Sequence, residues 1–431
     1  MRIARFALFC ALLFSVFVRA QGLPQAWSPE SVGFSSERLA RLGAALKEGV
    51  DKGEIPGAVV LIARKGSVAW FESFGYRDRE AKAPMERDAI FRLASMTKPI
   101  VTVAAMMLVE EGRLVLGAPV ANYLPEFKDV KVGVEKKDAT GKIELVLETP
   151  QRPMTVQDLM RHTSGLTYGF FGKSMVKEQY NQAKLFDPAQ SNAEFVAKLA
   201  KLPLQNHPGT AWDYSMSTDV LGRVVEVVSG MELQQFVTER VLKPLGMPDT
   251  GFWVEQPSQH ARIAEVLADP ATGKRPAMSD KTRRNWQSAG GNMASTATDY
   301  ARFSQMLLNG GELGGVRLLS RKTVEYMTAD HVPPGTRVLG IPVAVMDTRA
   351  ENGQSFGLGF AVRVSAGRSA IPGSVGDYSW TGIFGTQFWV DPKEQMFVVL
   401  MTQLPAAPSA DPMRAKYWTL MRNLVYGALV N

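Results

Sequence analysis

From Ile100 to Val109 the chain reads Ile-Val-Thr-Val-Ala-Ala-Met-Met-Leu-Val, followed by Glu110, Glu111 and Gly112. These are mostly good helix formers, and the glycine is a natural C-terminal stop. A helix that is apolar almost all round leaves no face for water and belongs in the middle of a domain. The rest of the chain must therefore supply walls for it. Pro99 fixes where it begins. It has no N–H to give the carbonyl of Ser95, so Ser95 falls at the cap or in the first turn.

Lys98 lies three residues after Ser95 and shares its face of the helix. A hydroxyl and an amine are thus held side by side at the positive end of a buried helix. Serine is a weak nucleophile until a neighbouring base takes its proton. Burial and the helix N-terminus both disfavour a lysine ammonium relative to the free amine. The N–H of Ser95 is also placed to face a developing oxyanion. The same S-x-x-K spacing recurs at Ser174-Met175-Val176-Lys177. That copy sits in a glycine- and aromatic-rich loop with no buried helix behind it, and context selects Ser95.

Other chemistries lose ground on composition. At 431 residues the chain can bury a large core and form two lobes. Residues 1–20 read as a secretory signal: Arg2 and Arg5, an apolar run over 6–18, then Val18-Arg19-Ala20 before Gln21. The run is too short for a convincing membrane span, which leaves no span after signal removal and points to a periplasmic or secreted protein. Losing Arg2, Arg5 and Arg19 takes the formal charge from +7 to +4 with no basic run, so no nucleic-acid partner is expected. Cys10, the only cysteine, lies in the same segment, so disulfides and cysteine nucleophiles drop out together. His162, His207, His260 and His331 contain no zinc-helix spacing, so no metal is expected, and the serine chemistry read above calls for no cofactor. A G-x-S-x-G elbow is also missing.

Along the chain, helical spacing covers 35–51, and apolar runs at 58–63 and 67–74 flank Arg64-Lys65-Gly66 as a hairpin. Residues 129–148 form a second hairpin. Thr155 caps a short helix over 155–162 that ends in His162-Thr163-Ser164-Gly165-Leu166, where His162 is read as fixing the loop by a hydrogen bond. Helices follow over 192–202, 218–229, 232–242 and 298–308. Tyr214 lies in loop sequence just ahead of the third of these, counting 155–162 as the first. Read locally, it is either a packing residue with a satisfied hydroxyl or a side chain projecting into a cleft. Strand patterns occupy 357–364, 384–390 and 395–402, and 411–430 closes the chain as an amphipathic helix. Strands at both ends with helices between predict an α+β fold. In it, residues 21–90 and 310–431 make a mixed lobe with an antiparallel sheet and terminal helices. Residues 91–309 make an inserted helical lobe carrying Ser95, Lys98 and Tyr214.

Three motifs in order, Ser95-Met96-Thr97-Lys98, Tyr214-Ser215-Met216 and Trp380-Thr381-Gly382, with His162-Thr163-Ser164-Gly165-Leu166 as a landmark, resemble the serine β-lactamase-related hydrolases of the class C β-lactamase and DD-peptidase type. The resemblance spans most of the chain and is nearest to the family VIII carboxylesterases. It implies a β-lactamase/transpeptidase-like fold, with Ser95 as acylated nucleophile, Lys98 as its proton acceptor and Tyr214 as proton shuttle. The oxyanion hole would be the N–H groups of Ser95 and Ile383. Two positions depart from the lactamase pattern. Met216 stands where it has asparagine, and Trp380 where it has lysine. Each lost charge-assisted or polar contact is worth about 1.5–3 kcal/mol to a β-lactam, whereas an indole suits a neutral ester. Trp380, Thr381, Gly382 and Met216 are accordingly expected to contact substrate.

The expected activity is hydrolysis of small neutral esters through an acyl-Ser95 intermediate, with weak β-lactam turnover at most. The alternatives are a β-lactamase or D,D-peptidase, an acyltransferase using the same three residues, and a non-catalytic binding protein on the same fold.

Overall fold

The computed structural model describes residues 22–275, 280–339 and 350–431. The predicted signal segment, residues 1–20, lies outside the described residues.

One eight-stranded antiparallel sheet organises the molecule. Its strands are β1 (Gly57–Arg64), β2 (Ser67–Asp78), β3 (Ala83–Pro84), β4 (Gln354–Phe356), β5 (Ala361–Arg363), β6 (Tyr378–Thr381), β7 (Gln387–Asp391) and β8 (Met396–Met401). They lie in the order β4-β5-β6-β7-β8-β1-β2-β3. The two ends of the chain thus meet in the middle of the sheet, where Val59 pairs with Met401 and Arg64 with Met396.

Both central strands are buried on both faces, and the period of two sorts their side chains. Val60, Ile62, Val398 and Leu400 face the helices α1 (Ser36–Asp51) and α5 (Asp411–Gly427), meeting Leu42, Leu46, Met421 and Val425. Val59, Leu61, Phe397 and Val399 face the other way, into the larger core. This second core contains α2 (Thr97–Glu110), α3 (Ser217–Ser229) and α4 (Ala297–Leu308). Every residue of α2 from Thr97 to Leu108 is buried, as a helix with no polar face requires. The segment between β3 and β4 supplies these helices, so the fold is a β-lactamase/transpeptidase-like α+β arrangement with an inserted helical region. Among the described residues, no helix is long and apolar enough to cross a membrane.

Three sequence expectations shift. The strand predicted over 357–364 is broken, because the Gly357 N–H turns back onto the Phe360 carbonyl and only Ala361–Arg363 pairs. The helix predicted over 232–242 is Leu233–Val237 running into a π-helical turn at Thr238–Leu242. The second S-x-x-K does start a helix, Met175–Gln182, with Ser174 as its N-cap; that helix lies near the surface, and Ser174 accepts from the Lys177 N–H.

The short helix Val156–Met160 has the expected Thr155 cap, and Asp158 completes a capping box. Asp158 is fully buried and also pairs with Arg152 and Arg161 and accepts from the Thr163 hydroxyl. Burial pushes its carboxyl up, but hydrogen bonds from Arg152, Thr155 and Arg161 outweigh it and hold the group at about 2. A depressed folded value stabilises the fold fully above the unfolded carboxylate range. That stability is lost as pH falls from about 4 toward 2, by about 2 kcal/mol. Urea unfolding across that window should show the loss, and Asp158→Asn should flatten it.

Candidate active site

Ser95 lies in a one-turn 3-10 segment, Ala94–Met96, that leads directly into α2. Ala94 immediately before it has φ +47°, a left-handed conformation rare for alanine that costs roughly 1–3 kcal/mol. The surroundings hold it there. The Leu93 N–H donates to the Met293 carbonyl, and the Thr386 hydroxyl donates to the Leu93 carbonyl at 3.0 Å. The Tyr300 hydroxyl of α4 donates to the Met96 carbonyl at 3.0 Å. The turn is therefore pinned from the sheet and from a helix, with Ser95 left partly accessible.

Lys98 is 1% exposed. Its Nζ lies 3.3 Å from Ser95 Oγ, 3.3 Å from the Tyr168 hydroxyl and 2.7 Å from the Gly290 carbonyl. Nζ donates to all three, the Ser95 hydroxyl, the Tyr168 hydroxyl and the Gly290 carbonyl, so its three N–H positions are filled. The ring of Tyr214 lies beneath, its centroid 4.6 Å from Nζ. The Tyr214 hydroxyl accepts from the Trp380 indole N–H at 3.4 Å.

Three members of this cluster went unread in the sequence. Tyr168 follows the His162 landmark but carries no local signal of a role. Its hydroxyl is held well above the ordinary phenol range by burial first and by Asp219 and Tyr214 second. Asp219, in the first turn of α3, is buried and accepts from Ser288 Oγ at 2.5 Å and from the Gly290 N–H at 3.0 Å. Burial raises its carboxyl, while the charge of Lys98 pulls the other way. Gly290 bridges the two: its N–H goes to Asp219 and its carbonyl to Lys98. A Cβ there would sit 2.3 Å from Asp219 Oδ2. The Gly290-Gly291 pair was the available signal, because paired glycines before a helix mark close backbone approach.

His162 has the loop-fixing role expected of it. It is buried, its Nδ1 lies 3.3 Å from Ser215 Oγ, and burial and then Lys98 hold it well below the ordinary imidazole range. A neutral ring therefore packs against Tyr214, with centroids 4.8 Å apart.

A cavity of about 580 Å³ opens from Ser95 to solvent, with Tyr214, Thr381, Gly382 and Ile383 in its wall. Met216 and Trp380 do not line it. Met216 is core, and Trp380 is buried behind Tyr214, packed on Phe356 with ring centroids 5.2 Å apart. The expectation that these two side chains touch substrate is corrected here. Trp380 lies on a strand whose alternation turns it toward Tyr214, and it reaches the site through the Tyr214 hydroxyl.

The N–H groups of Ser95 and Ile383 donate to no acceptor within the protein among the described residues. The turn carrying Ile383 is closed by the Gly382 N–H to the Thr386 carbonyl at 2.8 Å and packs onto the Ser95 turn. A Cβ on Gly382 would lie 2.2 Å from the Leu93 carbonyl and 2.3 Å from Thr386 Oγ1. Gly382→Ala must push the two turns apart. The expected cost is about 1–3 kcal/mol of stability and a loss in kcat of roughly 10²-fold with little change in KM. Steady-state kinetics alongside a thermal melt would separate the two.

A hydroxyl in contact with a buried amine, next to free N–H donors and a solvent-connected cavity, is a site for acyl transfer through serine. Fold and site together define a serine hydrolase of the β-lactamase fold. Residues 42–420 match the Beta-lactamase family, and the chain belongs to it. An uncharacterized protein of Mycobacterium tuberculosis is 34% identical over 399 residues, covering 89% of this chain and 96% of its own. The esterase EstB of Burkholderia gladioli is 31% identical over 383 residues, 84% of this chain and 90% of its own. Among solved structures, EstCE1, a hydrolase with promiscuous acyltransferase activity, superposes with a TM-score of 0.71 at 27% identity, covering 89% of this chain and 98% of that one.

Proposed function

We propose that the chain is a carboxylic-ester hydrolase of the family VIII esterase branch, acting on neutral esters through an acyl-Ser95 intermediate. The observation that carries this reading is the 3.3 Å contact between Ser95 Oγ and Lys98 Nζ at the floor of a mostly apolar cavity. Similarity to EstB supports the ester as substrate.

In the proposed cycle Lys98 takes the Ser95 proton as Oγ attacks the ester carbonyl. The oxyanion forms against the Ser95 and Ile383 N–H groups, which strengthen their hydrogen bonds as charge develops. Tyr214 relays the proton to the departing alkoxide, and the alcohol leaves. Water then attacks the acyl carbon, gives its proton to the same groups, and the acid departs with Ser95 restored. Trp380, by donating to the Tyr214 hydroxyl, fixes where that phenol points. The position that would carry a lysine in a β-lactam-hydrolysing relative here holds this buried indole, which favours esters over anionic β-lactams. A signal over residues 1–20 and a periplasmic or secreted location belong to the same reading.

Intact mass spectrometry after brief incubation with p-nitrophenyl esters and with nitrocefin tests it. The expected result is an acyl adduct on Ser95 from the esters, with at least tenfold slower turnover of nitrocefin. Faster nitrocefin turnover would move the assignment to a β-lactamase. Failure of a fluorophosphonate probe to label the protein would leave a binding protein.

A further inference from the structure

The cavity is larger than a small acyl group needs, and one wall of it is a ladder of aromatic rings. The ladder starts at Tyr214, beneath Lys98, and passes to Tyr168 with centroids 5.4 Å apart. Tyr168 stacks on Phe170 at 4.9 Å, Phe170 meets Phe186 at 6.0 Å, and Phe186 meets Trp286 edge-on at 5.7 Å. Ile383, Phe384 and Pro408 add apolar groups to the lining. Phe170 and Phe186 are 52% and 53% exposed, whereas Tyr168 and Trp286 are buried. The ladder therefore runs from the reacting atoms to solvent.

The wall is preformed. Asn181 donates to the Gly169 carbonyl at 3.0 Å, and the Lys177 ammonium caps the Phe171 carbonyl, so the helix Met175–Gln182 staples the loop that carries Phe170 and Phe171. The charged groups lining the cavity are already engaged. Asp219 is held by Ser288 and Gly290, and Arg414 pairs with Asp411 and donates to the carbonyls of Ile383, Pro405 and Ala407. Among the described residues, a charged substrate would find no unengaged carboxylate or guanidinium in the lining.

Resting on the esterase reading, we infer that the ladder is the subsite for the alcohol half of the ester, and that this half is a flat apolar group of aryl or fused-ring size. The acyl carbon is fixed at Ser95, so the half that departs first must hold the route to solvent. That route is lined by ring faces, which favour planar apolar groups through offset stacking and edge contacts.

The test compares ethyl acetate with 2-naphthylmethyl acetate, two alkyl esters of one acid, on the full chain. The wild-type protein should prefer the naphthylmethyl ester in kcat/KM by at least about tenfold. The double substitution Phe170→Ala, Phe186→Ala should cut that preference about tenfold, mainly through KM. A double variant that folds, by its thermal melt, and keeps a preference within twofold of wild type overturns the inference and leaves the esterase reading standing. A measurement without variants guards against misfolding. 2-Naphthylmethanol should inhibit wild-type turnover competitively and at least fivefold more tightly than cyclohexylmethanol, and equal inhibition by the two overturns the inference. No turnover of either ester by wild type would sink the esterase reading and this inference with it.

Discussion

Ser95→Ala should lower ester hydrolysis by about 10⁴-fold or more and abolish the acyl adduct, while leaving the thermal melt within a few degrees of wild type. The reasoning is local. Ser95 Oγ is the reacting atom in the proposed cycle, and it is partly accessible, so removing it opens no core cavity. The turn around it is held by Leu93, Met96 and Thr386 through backbone and side-chain groups that the substitution does not touch. What remains is binding and two N–H donors with no nucleophile to serve. Activity within tenfold of wild type would end the acyl-serine account, and a search for the nucleophile would have to begin elsewhere in the cavity.

Lys98→Ala should cost about 10³-fold in the rate of acylation, within the range of a positioned general base. Pre-steady-state release of p-nitrophenol isolates that step. Unlike the serine, this residue is nearly fully buried and satisfies the Gly290 carbonyl and the Tyr168 hydroxyl. Its removal leaves both without a partner, so a fall in stability of about 1–3 kcal/mol should accompany the kinetic loss. Lys98→Met fills the volume and should recover part of that stability and none of the rate. Were acylation restored as well, the amine would be structural and the base another group.

Much of the frame was legible because its signals are local. The hairpin at 58–74, the closing helix and the buried helix after Pro99 each follow from periodicity and from a breaker at the right place. Ser95 and Lys98 were legible for the same reason, since one helical turn fixes their separation. Tyr214 was ambiguous by its own neighbours, and only the ordered set of motifs raised it. Tyr168 and Asp219 could not be read at all, and the paired glycines at 290–291 marked only a close backbone approach. Each meets Lys98 or its partners across a long stretch of chain, and nothing in the residues beside them reports that meeting. Trp380 and Met216 show the reverse failure. Their positions in the motifs suggested contact with substrate, but the pleat of β6 and the start of α3 turn both into the core. In the same way the strand expected over 357–364 counted apolar residues correctly and missed the turn at Gly357.

The pairing of β1 with β8 has a consequence for how the chain matures. Val59 cannot find Met401 until the chain has been made through residue 401, so the central strands close late. A nascent or truncated chain ending before residue 396 would carry a half-sheet with an open apolar edge, prone to recruit other strands. Contacts so distant along the sequence also make refolding slow. The middle of the sheet therefore stays open while the intervening helices are made, and whatever keeps the chain from aggregating must shield β1 through that time.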